Sequence, residues 1–133
     1  MKVILLQQGR DYELLNTLKE SHMEAVVTQM TKDGGVDIIG NFKDLHFIVQ
    51  CKSGRQKVGP GELRKLSGML TKRGADVLGI LLSQGGFTAN AEKEVSYFNN
   101  IIILDDHETI SQAIFDYYYL NHLKKKRNQG NNN

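Results

Sequence analysis

The order of apolar runs predicts an α/β domain built on a mixed central sheet of about five strands flanked by helices, in the order α-β-β-β-α-β-α-β-α. Three observations carry this. Short runs rich in Val, Ile and Phe ("AVVTQM", "VDIIGNF", "HFIVQCK") follow one another across turn residues, as an antiparallel segment does. The run "ADVLGILLS" is almost continuously apolar and bounded by glycines, which marks a strand covered on both faces. Helical patterns separate this run from its neighbours on either side, and strands alternating with helices imply parallel crossover connections.

Taken in order, "GRDYELLNTLKESH" has Tyr12, Leu15 and Leu18 at helical spacing, with Leu14 beside them, and predicts an amphipathic first helix. The next three runs are strands, the last two a hairpin turning at "NFKD". Pro60 suits the first turn of a helix through "GELRKLSGMLTKR", whose Leu63, Leu66, Met69 and Leu70 form one face. After "ADVLGILLS", Thr88 is the expected N-cap of a helix over "FTANAEKEVSYFN", with Ala91, Val95 and Phe98 inward. "NIIILD" is another buried strand and "HETISQAIFDYYYLNHL" the closing helix. Residues 1–122 form the expected domain. Residues 123–133, "LKKKRNQGNNN", are basic and then Asn-rich, and are expected to be a disordered tail.

At 133 residues the chain suits one domain with one core. Its single cysteine excludes an internal disulfide and fits a reducing compartment. The apolar stretch in "MKVILLQQ" falls short of the roughly 7–15 residues of a signal-peptide core, and no run reaches the about 20 that cross a bilayer. The expectation is a soluble, intracellular protein with no membrane partner; cytoplasm, nucleus and organelle are not distinguished.

Net charge is +2, unevenly distributed. Between Lys52 and Arg73 stand seven basic residues and one acid, Glu62, a local +6 in a chain whose remainder carries −4. Such a segment is a candidate phosphate-facing surface.

Asp37 opens one strand of the expected hairpin, and Gln50 and Lys52 end the other. Because strand side chains alternate, Gln50 and Lys52 share a face and Cys51 points away. A carboxylate, an amide oxygen and a nearby main-chain carbonyl are hard donors suited to Mg²⁺. Lys52 adds a charge able to orient an attacking water and to stabilise a phosphate in reaction. Glu13, beside the inner face of the first helix, is the expected fourth member.

Other features carry less. Gly34-Gly35 and Gly85-Gly86 lack the spacing of a phosphate loop, and Ser67 and Ser83 have no triad context. His22, His46, His107 and His122 are scattered without the Cys spacing of a zinc site. Asp105, Asp106 and His107 read as helix-capping residues. Tyr117, Tyr118 and Tyr119 cannot share one helix face, so they divide between core and surface or a dimer contact.

"DGGVDIIG" followed by "FIVQCKSGRQKVGPGELRKLSGML" resembles the Mrr-like family of restriction endonuclease-like nucleases, in the branch where D…QxK replaces D…(D/E)xK. The likeness continues through "GILLSQGGFTANAEKEVS" and "IIILDDHETISQAI", from Gly9 to about Ile114. It implies a restriction endonuclease-like core and a Mg²⁺-dependent endonuclease that hydrolyses DNA phosphodiester bonds, with Mn²⁺ able to substitute. Asp37, Glu13 and the Cys51 main-chain carbonyl would hold the ion, Gln50 would occupy the altered acidic position, and Lys52 would be the catalytic lysine. Arg55, Lys57, Arg64 and Lys65 would meet the DNA backbone. Two alternatives stay open: an inactive nucleic-acid-binding domain of the same fold, and a nuclease resolving junctions or branched DNA. A homodimer, a separate reader domain or a larger parent protein are also open.

Overall fold

A computed structural model describes residues 13–30, 36–74 and 76–131. Helix α1 covers residues 13–20, its expected beginning at 9–12 lying outside the described residues. It is followed by β1 (Glu24–Met30), β2 (Val36–Phe42), β3 (Leu45–Lys52), α2 (Pro60–Arg73), β4 (Val77–Ser83), α3 (Ala89–Glu94), β5 (Ile101–Leu104) and α4 (Ile110–Asn131). Short 3₁₀ turns at Val95–Tyr97 and His107–Thr109 follow α3 and precede α4.

The five strands form one sheet in the order β1-β2-β3-β4-β5. The β1/β2 and β2/β3 pairs are antiparallel, while β3/β4 and β4/β5 are parallel. This follows from the connections. A tight turn at Lys43 and Asp44 joins β2 to β3, with Lys43 at φ 55°, whereas α2 and α3 supply the crossovers parallel strands need.

Alternation along the strands divides the core between two layers. Phe47, Val49, Ile80 and Leu82 face Leu14 and Leu18 of α1 and Ile110, Ile114 and Tyr118 of α4. Ile48, Leu81 and Ile101 face Leu63, Leu66 and Leu70 of α2 and Ala91 of α3. The protein is thus a three-layer α/β/α domain in which β4 is buried on both faces, as its unbroken apolar run requires. Thr88 accepts from the Ala91 amide and Asp106 from the Glu108 amide, the two caps read from the sequence. None of the described helices is long and apolar enough to cross a membrane.

The far end of the chain differs from expectation. Residues 123–131 continue α4 rather than forming a disordered tail. Lys and Arg are good helix formers, and Lys124 to Arg127 extend a helix already nucleated by packing of its first half.

Candidate functional site

The hairpin register brings the candidate residues together. Asp37 stands directly opposite Gln50 in the β2/β3 ladder, so their side chains share a face, and Lys52 lies two residues further along it. That face is the α2 side of the sheet, since Ile48 and Ile39 on the same alternation pack into the α2 and α3 core. Cys51 packs against the opposite core. On its other side Asp37 is paired with Gln29 across an irregularity between Val27 and Gln29, and Thr28 Oγ1 donates to the Asp37 carbonyl at 3.3 Å. A bulge beside a functional side chain is a recognised way to set its direction.

These residues line one cleft of about 520 Å³ with Ser53, Gln56, Lys57, Val58, Gly59 and Glu62. Its far wall is the loop between β3 and α2, fastened where the Val58 amide donates to the Gly86 carbonyl at 2.9 Å and the Thr88 amide to the Val58 carbonyl at 3.0 Å. The loop passes so close to Gly85 that a Cβ there would lie 2.6 Å from the Gln56 carbonyl oxygen. Only glycine leaves room for this wall.

Lys52 Nζ is 2.9 Å from Glu62 Oε2, with Lys65 Nζ at 3.5 Å from the other oxygen. The hydrogen bond from Lys52 holds the Glu62 carboxyl below its usual range. Asp37 shows the reverse: burial pushes its carboxyl up, and the charges of Lys52 and Arg73 offset this only in part. An aspartate under-compensated by fixed cations, opposite a glutamine and beside the Cys51 main chain, is a donor set whose chemistry fits a hard divalent ion. Gln50 Nε2 donates to Met69 Sδ at 3.9 Å, which turns its amide nitrogen to α2 and leaves the oxygen as the end for the cleft. Among the described residues, no three or more His, Cys, Asp or Glu side chains gather as a metal site.

Glu13 is not brought to this cleft. Leu14 and Leu18 fix α1 on the opposite layer, and Glu13 lies exposed there, 3.8 Å from His107 Nε2. Of the basic residues, Lys57 lines the cleft, Arg55 is exposed on the loop, and Lys65 pairs with Glu62. Arg64 is held away by two hydrogen bonds to Glu94 of α3, at 2.7 and 3.1 Å. Glu62 was missed by sequence reasoning. Its signal was its position as the one acid in the basic segment, in the first turn of the helix that follows the strand ending at Lys52.

Strand order, layering and a polar cleft at the start of β2 and the end of β3 define a restriction endonuclease-like α/β domain. The family Mrr_cat, described as "Restriction endonuclease", matches residues 9–113, and the chain belongs to that nuclease family. A protein of Schizosaccharomyces pombe described as uncharacterized and mitochondrial is 39% identical over 79 aligned positions, covering 54% of this chain. The match spans 32% of that relative's length. No solved structure matches the chain.

Proposed function

We propose that the domain is a divalent-metal-dependent endonuclease acting on DNA through a D…QxK site. The observation supporting this most strongly is the register that sets Asp37 against Gln50 with Lys52 on the same face. Asp37, the Gln50 amide oxygen and the Cys51 main-chain carbonyl are the groups assigned to Mg²⁺ or Mn²⁺. A bound ion of this kind supplies Lewis-acid stabilisation of the scissile phosphate. The protein's own part is to hold the phosphate and to answer the charge that builds on it. The Lys52 ammonium, paired with Glu62, would stabilise that charge and orient the attacking water. Lys57 in the cleft and Arg55 on the adjoining loop would hold neighbouring phosphates, contacts that carry no base information and weaken with salt.

A second reading, an inactive DNA-binding domain, draws on two observations: glutamine stands where a carboxylate would bind metal better, and Glu62 already engages Lys52. Supercoiled, linear and branched DNA incubated with Mg²⁺ or Mn²⁺ against EDTA separates the readings. Metal-dependent cutting supports the nuclease, and preference for branched substrate assigns it to junctions. Salt-sensitive binding without cutting of any substrate refutes it in favour of the binding domain.

A further inference from the structure

Between Ile110 and Leu123, α4 is apolar on two sides. Its inner side is accounted for: Ile110, Ile114 and Tyr118 are buried against the sheet. The outer side carries Tyr119, Leu120 and Leu123 at 51%, 58% and 60% exposure, and Leu120 and Leu123 line a shallow groove with Lys124, Lys126 and Arg127. At 100° per residue, Asp116, Leu120, Leu123 and Arg127 fall on one narrow stripe. Two large aliphatic side chains side by side on an exposed helix face, with charged residues at both ends, are the pattern of a helix that packs against another helix.

From this stripe we infer that the chain self-associates through α4, packed antiparallel against α4 of a second copy. The stripe is self-complementary in that direction. A two-fold axis between residues 121 and 122 sets Leu120 against Leu123 of the partner subunit. It also sets Arg127 against Asp116 of the partner subunit, because Asp116 and Arg127 lie the same i, i+4 distance outside the two leucines. Each contact occurs twice, as an isologous interface requires. Asp116 accepts from Gln112 Nε2 at 2.9 Å, which helps hold its carboxylate on this face. The parallel arrangement is opposed by charge: it would align the two basic runs Lys124 to Arg127 along their length, whereas the antiparallel one moves each toward Asp116 of the other copy. A single helix pair is below the area of a strong interface, so the association is weak and concentration-dependent.

Sedimentation of the full chain over rising concentration, up to about 1 mM, tests this. The expected result is a monomer–dimer equilibrium abolished by Leu123→Glu, a variant whose circular dichroism stays that of the wild type because Leu123 is exposed. Asp116→Arg and Arg127→Asp each weaken association about fivefold or more, and an equimolar mixture of the two restores it, since every 116–127 contact across that heterodimer again joins opposite charges. A wild-type chain monomeric throughout, or a dimer indifferent to Leu123→Glu, overturns the inference. So does a monomer that binds anionic vesicles through Leu120 and Leu123, which would assign the stripe to a lipid surface.

Discussion

Lys52 Nζ and Glu62 Oε2 lie 2.9 Å apart across the mouth of the cleft, joining the end of β3 to the first turn of α2. The pair is partly exposed, so its worth to stability is small, about 0–1 kcal/mol. Its importance is positional. Glu62→Gln is expected to lower the cleavage rate about tenfold, with the loss in kcat rather than KM, and to leave melting within a few degrees. The Glu62 carboxyl is held below its usual range, so its contribution to stability is present above the ordinary glutamate value of 4.5 and is lost as pH falls through the depressed value. An unchanged kcat in Glu62→Gln would show that Lys52 needs no such partner.

Asp37 has the opposite linkage. Its folded-state pKa is raised, so the folded protein binds its proton more tightly than the unfolded chain, and the cost of ionising it grows as pH rises past the ordinary value of 3.8. Asp37→Asn removes that cost. The variant is expected to melt higher than the wild type at pH 7, with the difference vanishing below about pH 3.8, while losing metal-dependent cutting by about 10²-fold or more. Thermal melts across pH check the first part. In the wild type, added Mg²⁺ should raise the melting temperature, and in Asp37→Asn it should not.

Glu13 provides a discriminating control. Because α1 packs on the other layer and Glu13 faces His107, Glu13→Gln is expected to leave cleavage within about threefold of wild type. A loss as large as that of Asp37→Asn would mean that α1 delivers Glu13 to the cleft during reaction.

Gly85→Ala addresses the cleft wall. The new methyl group would meet the carbonyl oxygens of Gln56 and Arg55 at 2.6 and 2.8 Å, main-chain atoms that move only with the whole loop. The expected cost is about 1–3 kcal/mol of stability, with DNA affinity reduced because the loop bearing Arg55 and Lys57 is displaced. Denaturant unfolding and a DNA-binding titration read the two effects separately.

The fold was legible in the sequence where periodicity is unambiguous. The continuous apolar run of β4, Pro60 at the start of α2 and Thr88 as a cap each have a local physical cause, and each stands in the structure. The Asp37, Gln50 and Lys52 cluster was legible because a short hairpin fixes its own register. The position of Glu13 was not legible, because helical spacing tells which residues lie near the inner face and does not tell which layer of the sheet the helix will cover. Glu62 was hidden for a similar reason: its contact with Lys52 depends on how α2 leaves the loop, a tertiary matter. The tail misled by composition, since Asn and Lys suggest disorder, yet they lengthen a helix that packing has already started.

The most direct test of the central claim is nicking of supercoiled plasmid by the purified chain with Mg²⁺ and with EDTA, run beside Lys52→Ala at equal DNA occupancy. The expected result is nicking by the wild type with Mg²⁺, none with EDTA, and a loss of about 10²-fold or more in Lys52→Ala while the DNA remains bound. Nicking that persists in EDTA, or that Lys52→Ala performs at the wild-type rate, would contradict it.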